Sequence, residues 1–282
     1  MTVKSYASPY VTTDAGALAG AVVLPPSAAV DQLAPLKAEP SPIADRAREQ
    51  HGILVRTLRD RGVDVTELEP ESRSATEAFV ADCAIVFPKG AVLARPSQPQ
   101  RRAEVARIEH LLADRGIPIV GRIEAPGLLD ATDAALGAER LYVGVPRPGN
   151  GLRARSNELG RAQLAAIATQ MGYRTVELAL AADVLRLRNV FSVVGGDTVI
   201  ASPDKVDIVP ASGVRVIELP RGEDAAAGVL ATGERRVIAN LRFRQSIVIM
   251  RKAKVTVDAI DLWEFGKAGF GPFSLVLALK RG

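Results

Sequence analysis

The sequence is poor in the residues that crosslink a chain or bind metals. Its 282 residues include one cysteine, Cys83, and two histidines, His51 and His110. A single cysteine cannot form a disulfide within the chain, and no histidine or cysteine cluster has the spacing of a metal site. We therefore expect no disulfide, no bound metal and no cofactor in this protein.

Long apolar segments are also missing. No apolar run approaches the roughly 20 residues that span a bilayer. The first residues, MTVKSYASPYVTTDAG, lack the apolar region of a signal peptide. These absences predict a soluble, cytoplasmic protein without a membrane partner.

The sequence also lacks a strong excess of charge of one sign. The sequence has 36 Lys and Arg against 32 Asp and Glu, a net charge of +4, and the basic residues are interleaved with acidic ones. Nucleic-acid binding needs basic residues clustered on one face, so no nucleic-acid partner is expected. A homodimer is left open.

Short runs rich in Val, Ile and Leu alternate with amphipathic segments, which predicts an α/β (α+β) fold. One order recurs four times: a helix, a glycine or basic turn, and an extended run ending in an acidic residue, each copy being preceded by further apolar strands. The predicted helices span about 41–61, 100–115, 157–171 and 244–254, with strands following at 63–69, 117–124, 173–180 and 255–262. A short helix is also predicted within 222–231. This internal repeat, without linkers, favours a single domain over residues 1–282.

Acidic residues lie in or beside the apolar strands. Asp82 lies within FVADCAIVF, and a carboxylate in so apolar a run must be paired or hydrogen-bonded when it is buried. A turn aspartate and a ligand-binding carboxylate are equally compatible with this position. Asp130 and Asp133, in LLDATDAA, are typical either of an Asx turn or helix cap or of a second acidic pair at a site.

Several arginines also lie at strand ends or in loops. Arg95 precedes a proline, and Arg155 follows a glycine-rich loop, where a guanidinium can bind carboxylate or phosphate or can simply be solvated. Arg186 and Arg188, in LRLRN, share one face of a strand and need acidic partners if they are half-buried.

Other candidate groups favour structural roles. Both histidines lie in amphipathic helices among charged residues, which favours a structural or solvated role, and Cys83 is expected to be a buried, inert thiol. The glycine-rich segment 266–274, GKAGFGPFS, lacks the strand-before and helix-after context of a phosphate-binding loop.

Three motifs in order resemble the dimethylarginine dimethylaminohydrolases, which belong to the amidinotransferase or guanidine-modifying superfamily with the pentein fold. FVADCAIVF with VLARPSQPQRRAEV is similar to the family's Phe-Val-Glu-Asp strand and Arg-Pro strand end. IEAPGLLDATDAALGAERLYVGV is similar to its Leu-Asp/Glu-Gly-Gly-Asp segment, and DLWEFGKAGFGPFSLVLALK to its C-terminal nucleophile segment. The resemblance covers nearly the whole chain. It implies five ββαβ-type modules around a pseudo-fivefold axis with a central channel.

The resemblance also implies a chemistry that this sequence departs from. The family uses a cysteine thiolate, a proton-shuttling histidine and carboxylates that grip the guanidinium. Here Ser274 aligns with the nucleophile, or Phe273 or Pro272 if the alignment slips. Arg186 aligns with the histidine, and Ala81 with a clamp glutamate.

The aspartates at 82, 130 and 133 and the arginines at 95 and 155 are retained. An alkoxide forms far less readily than a thiolate, and an arginine cannot act as a base. Hydrolysis of a guanidine by the family's cysteine–histidine chemistry is therefore not expected.

Two functions remain open. In the first, an altered-chemistry enzyme binds a small anionic or amino-acid-like metabolite in the channel. The catalytic group would be Asp82, Asp130, Arg186 and Ser274, and the substrate-binding group would be Arg95, Asp133 and Arg155, with Arg186 adding its charge. In the second, the protein is a catalytically silent relative that binds a metabolite or a protein. An accessible polar cluster around the serine favours the first, and a channel plugged by Phe270 and Phe273 favours the second.

A third possibility is an engineered serine in an otherwise active hydrolase. The arginine at the histidine position argues against it, because one inactivating change is enough to trap an intermediate.

Overall fold

The computed structural model describes residues 5–36, 39–70, 74–147, 155–209 and 211–282. Within these residues the chain forms five three-stranded sheets, which confirms the mixed α/β class. The strands are β1 Leu18–Val23, β2 Asp64–Glu67, β3 Ala84–Phe87, β4 Gly90–Leu93, β5 Ile119–Arg122, β6 Ala134–Leu136, β7 Arg140–Pro146, β8 Arg174–Leu180, β9 Phe191–Val193, β10 Thr198–Ala201, β11 Arg215–Glu218, β12 Leu230–Gly233, β13 Arg236–Asn240, β14 Thr256–Ile260 and β15 Leu277–Arg281.

All five sheets share one topology. The middle strand pairs antiparallel with the strand before it and parallel with the strand after it, as β4 does with β3 and β5. A parallel neighbour requires a crossover connection, which is where the helices lie. The first sheet is completed by the last strand, because β15 pairs antiparallel with β1. The two ends of the chain therefore share one sheet.

The helices are α1 Ala44–Asp60, α2 Arg102–Asp114, α3 Glu158–Gln170, α4 Arg244–Lys252 and a short α5 Trp263–Gly266. Their apolar residues recur at helical spacing, and α1 buries Ala47, Leu54 and Leu58 on one face. The first three helices are each followed by a glycine with positive φ, Gly62 at 78°, Gly116 at 73° and Gly172 at 90°. Glycine adopts this left-handed conformation without a Cβ clash, so these positions end the helices where the sequence predicted.

The short helix predicted within 222–231 is only one 3₁₀ turn and not an α-helix. Residues 222–231 contain a 3₁₀ turn at Asp224–Ala227, and β12 begins three residues later. The alanines are followed by Gly228 and then by apolar strand residues, so the segment is too short for a stable α-helix. In four of the five sheets an α-helix lies in the crossover between the middle strand and its parallel neighbour. The described part of the crossover between β10 and β11 has none.

A 3₁₀ turn precedes the first strand of every sheet. The turns are Val80–Asp82, Ala131–Asp133, Leu187–Asn189, Asp224–Ala227 and Pro272–Leu275. The strands that follow four of them line a small cavity of about 60 Å³, called here the axial cavity. The turns therefore lie around the centre of the molecule, and they bring together residues from distant parts of the sequence. Among the described residues, no helix is long and apolar enough to cross a membrane.

Candidate functional site

Asp82 lies at the centre of a buried charge network. Its Oδ2 accepts a hydrogen bond from Nη1 of Arg101 at 2.7 Å, and its Oδ1 accepts one from Oγ1 of Thr132 at 2.5 Å. Arg101 also donates through Nε to Oε2 of Glu104 at 2.9 Å and through Nη2 to the carbonyl of Phe79 at 3.3 Å. The carboxylate predicted to need partners therefore has them, as a buried charge requires.

The guanidinium of Arg186 extends between two carboxylates. Its Nη2 donates to Oδ2 of Asp82 at 3.5 Å, and its Nε lies 3.6 Å from Oδ2 of Asp130. All three side chains are at most 1% exposed. Neither carboxylate oxygen of Asp130 accepts a hydrogen bond from a described residue. The ion pair of Asp130 with Arg186 is therefore long, and it lacks the close hydrogen bonds that surround Asp82.

The two carboxylates have opposite pKa shifts. Burial opposes ionisation of Asp82, but the charges of Arg186 and Arg101, together with the hydrogen bonds from Thr132 and Arg101, outweigh burial and hold its pKa below the usual range. For Asp130, burial and the negative charge of Asp82 raise the pKa, and the same two arginines offset only part of this effect. Acids with opposite shifts are a feature of acid–base catalysis, and also of structural ion-pair networks.

Asp133 connects three segments. Its Oδ2 accepts a hydrogen bond from Oγ of Ser156 at 2.5 Å, and its Oδ1 accepts one from the backbone N–H of Leu187 at 3.2 Å. The same serine oxygen accepts the N–H of Asp130 at 3.2 Å. Burial raises the pKa of Asp133 to about 7, although the Ser156 hydrogen bond lowers it in part. These contacts use both oxygens of Asp133 and fix the segment that carries Arg186.

An aromatic stack covers the cluster. The guanidinium carbon of Arg186 lies 4.5 Å from the centre of the Phe270 ring, and that ring stacks on Phe79 with 3.3 Å between centroids. Phe265 meets Phe79 edge-to-face at 6.2 Å. A guanidinium against an aromatic face is stabilised by the ring quadrupole, more strongly when it is desolvated. This cover excludes water from the charged groups.

The three residues that could align with the nucleophile face different surroundings. Ser274 is fully buried, and its Oγ has no hydrogen-bond partner among the described residues. Its turn packs against the turn that carries Asp82. Phe273 lines the axial cavity, where its ring centre lies 5.4 Å from the guanidinium carbon of Arg188, while Pro272 lines a separate, larger cavity. Each of these positions lacks a thiol.

The two other predicted arginines are less buried than Arg186. Arg95 pairs through its backbone with Leu129, and its Nη1 donates to the carbonyl of Gly127 at 3.1 Å. Burial lowers the pKa of Arg155, and the positive charge of Arg186 lowers it further, against the opposing effect of Asp130. Arg155 is thus close enough to interact electrostatically with the cluster. Arg95 lies just past the end of β4, the middle strand of its sheet.

Sequence reasoning missed Arg101 and the covering role of Phe270 over Arg186. Arg101 is 1% exposed, and the charges of Asp82 and Glu104 raise its pKa despite the opposing effect of burial. Its spacing of three from Glu104 was a usable signal, because residues at this spacing face one another on a helix. Phe270 had no comparable local signal.

The cysteine and the two histidines are not part of the charged cluster. Cys83 is 1% exposed, and burial raises the pKa of its thiol, as expected for an inert group. His51 is buried in α1, where burial lowers its pKa to about 4, and His110 is exposed on α2. The described residues contain no group of three or more His, Cys, Asp or Glu side chains arranged to hold a metal ion.

Similar proteins agree with this architecture. No protein-family profile matches the chain. The chain is 29% identical over 224 residues to the N(G),N(G)-dimethylarginine dimethylaminohydrolase of Pseudomonas aeruginosa, covering 77% of this chain and 83% of that protein. It is also 29% identical over 221 residues to the protein of the same name from Streptomyces coelicolor, covering 78% and 81%.

A solved structure of the Pseudomonas aeruginosa dimethylarginine dimethylaminohydrolase, a cysteine-to-serine mutant complexed with citrulline, has the same fold. Its TM-score to this protein is 0.82 at 26% identity, and the match covers 93% of this chain and 99% of that one. The five three-stranded sheets have the topology that the sequence motifs implied. The chain is similar in sequence to the dimethylarginine dimethylaminohydrolases and has their pentein fold.

Proposed function

We propose that this protein does not hydrolyse guanidines and acts instead as a small-molecule-binding pentein. In this proposal the carboxylates that grip a substrate guanidinium in the related enzymes grip the chain's own Arg186. The observation that carries it is the position of that guanidinium, which faces Asp82 and Asp130 and lies against the ring of Phe270. A substrate guanidinium would have to displace an internal one.

The chemistry of the nearby groups supports this proposal. Attack on a guanidinium carbon needs a strong nucleophile and a base to shuttle protons. Ser274 offers an alcohol, and an arginine side chain cannot act as a general base. The chain's thiol, Cys83, is buried with a raised pKa. The cluster therefore lacks the two groups on which the family's reaction depends.

An enzyme with altered chemistry is the alternative. It is favoured by the carboxylate oxygens of Asp130 and the hydroxyl of Ser274, which accept no hydrogen bond from a described residue, as groups that meet a substrate would. Burial argues against it, since the cluster is closed to solvent. The axial cavity, at about 60 Å³, has room for a few water molecules but not for an amino acid. In addition, the charge of Arg186 is already engaged by two carboxylates and offers little attraction to an anion.

The test is citrulline release from arginine and its methylated forms by the wild type and three variants. The variants are Ser274→Cys, Arg186→His and the double variant. We expect no turnover by the wild type or by Ser274→Cys, because the single variant still lacks a base. The double variant is the minimum change that restores both groups. Robust turnover by the wild type would refute the proposal, and a Cys83→Ser variant would then test the remaining thiol.

A further inference from the structure

A second cavity, of about 310 Å³, is lined in part by Phe270, the residue whose ring also contacts Arg186 of the charged cluster. It is called here the side cavity. Its walls come from the segments around β9, the turn before β12, the end of β13 and the chain from α5 to the turn before β15. Its volume is in the range of small-molecule sites. Its lining differs from that of the charged cluster and includes none of the four predicted catalytic residues.

Aromatic rings form much of the side cavity. Trp263 and Phe243 meet edge-to-face at 6.1 Å between centroids, and Phe270 adds a third ring. Several glycines also line the cavity, so no side chain projects into it at those positions. A Cβ at Gly266 would lie 2.9 Å from the Trp263 ring. Aromatic faces arranged around an open space are suited to an apolar body or an organic cation.

One buried polar side chain that lines the side cavity has an unpaired acceptor atom. Asn189 is 8% exposed, and its Nδ2 donates to the carbonyl of Gly269 at 3.0 Å. Its Oδ1 accepts no hydrogen bond from a described residue. A buried acceptor left unpaired costs free energy, so a ligand that donates an N–H or O–H here recovers that cost.

The charged residues that line the side cavity indicate which kind of donor would bind there. The described residues that line the side cavity include three carboxylates, Glu39, Asp183 and Asp224, and one ammonium, Lys205. Lys205 is already paired, with its Nζ 2.5 Å from Asp183 and 3.7 Å from Asp224. With Lys205 paired to Asp183, the described lining still holds the carboxylates of Glu39 and Asp224, which favours a cationic ligand over an anionic one.

We infer that the side cavity binds a small organic cation of the amine class. The ammonium donates to Oδ1 of Asn189, and the alkyl or aryl body packs against the rings of Trp263 and Phe243. This inference rests on the proposed binding function and names its site and ligand class. It needs no reaction at Asp82 or Arg186.

The sequence supplies its own probe of this site. Trp263 is the only tryptophan in the chain, so intrinsic tryptophan fluorescence reports directly on the side cavity. The probes are cyclohexylamine, cyclohexanol and cyclohexanecarboxylate, which share one ring and differ in charge. We expect saturable binding of the amine with a change in Trp263 fluorescence, confirmed by calorimetry. The alcohol is expected to bind about tenfold more weakly, and the carboxylate more weakly still.

Three variants sharpen the test. Asn189→Leu removes the acceptor and is expected to weaken amine binding about tenfold. Asp224→Asn removes a lining charge at a partly exposed position and is expected to weaken it by a smaller factor, which keeps the test usable if the first variant does not fold. Asp204→Asn, the matched control, removes a carboxylate paired with Arg221 outside the side cavity and should leave the affinity unchanged.

Two outcomes would overturn the inference. The first is an alcohol or carboxylate that binds as tightly as the amine. The second is the absence of any Trp263 response to millimolar amine in folded protein. Because citrulline release is measured separately, failure of amine binding and failure of the proposed lack of hydrolysis are distinguishable.

Discussion

The guanidinium of Arg186 lies against the face of the Phe270 ring, with 4.5 Å between the guanidinium carbon and the ring centre. Carboxylates of Asp82 and Asp130 flank the same guanidinium at 3.5 Å and 3.6 Å. One internal cation therefore has both an aromatic cover and anionic partners. Such a guanidinium holds together the turns that converge on the centre of the fold.

Removal of the Arg186 guanidinium should destabilise the folded protein, and a small guanidinium compound should restore part of the lost stability. We expect Arg186→Ala to lower the free energy of unfolding by about 3–5 kcal/mol, because it leaves buried carboxylates without a charge partner. Millimolar methylguanidine should then raise the thermal midpoint of the variant by occupying the vacated space. Differential scanning fluorimetry measures both effects.

Two controls separate this effect from general salt stabilisation. Arg186→Lys keeps a cation at the position and should not respond to methylguanidine, and ammonium chloride should not replace methylguanidine in Arg186→Ala. A thermal midpoint of Arg186→Ala that did not rise with methylguanidine would contradict this prediction. It would mean that a free guanidinium cannot take the place of the Arg186 side chain.

The pKa of Asp133 predicts a dependence of stability on pH. Burial raises this pKa to about 7 in the folded protein, from 3.8. Between these two values the folded state holds a proton that the unfolded state has lost. The contribution of Asp133 to stability is therefore fully present below the lower value and is lost as the pH rises through about 7. His51, whose pKa burial lowers to about 4, acts in the opposite direction between about 4 and 6.5.

An asparagine at position 133 isolates the aspartate's part of this dependence. Asp133→Asn is neutral at every pH and can keep contacts with Ser156 and Leu187. We expect its free energy of unfolding, relative to the wild type, to increase by about 2–3 kcal/mol between pH 5 and pH 8. Urea unfolding at each pH measures the difference. A difference that does not change with pH would mean that Asp133 ionises normally in the folded protein.

The thiol of Cys83 should report on unfolding. It is 1% exposed, and burial raises its pKa, so a disulfide reagent should label it only when the chain opens. We expect labelling in native buffer to be slower by several orders of magnitude than labelling in denaturant. Rapid labelling of the native protein would show that the β3 region opens locally, and the denatured chain serves as the positive control.

The pairing of β1 with β15 predicts cooperative unfolding. Leu279 in β15 is fully buried, and Leu279→Ala is expected to lower stability by about 2–5 kcal/mol. Circular dichroism and Trp263 fluorescence should shift together, because the closing sheet joins the ends of the chain. Val209→Ala, at an exposed position, should leave both curves unchanged. Two separate transitions would indicate independently folding parts, contrary to the single domain that the sequence predicts.

The sequence by itself determined the local elements and their order. Apolar residues at helical spacing placed α1 to α4, and a glycine that can adopt positive φ ended each of the first three. Val, Ile and Leu runs placed the strands that follow, since side-chain patterning acts within a few residues. The 3₁₀ turn at Asp224–Ala227 shows the limit of this approach, because a run of alanines is helical only if it is long enough to propagate.

The candidate site residues were also found from motifs, but their relationships were not. Arg186 lies 104 residues from Asp82 in the sequence, and only the closure of the five sheets brings them to 3.5 Å. Burial, partner distance and the charge of neighbours set the direction of each pKa shift, and none of these is a property of local sequence. For the same reason Phe270 was recognised as a residue that could plug the channel, while only the tertiary structure decided that its ring covers a buried guanidinium.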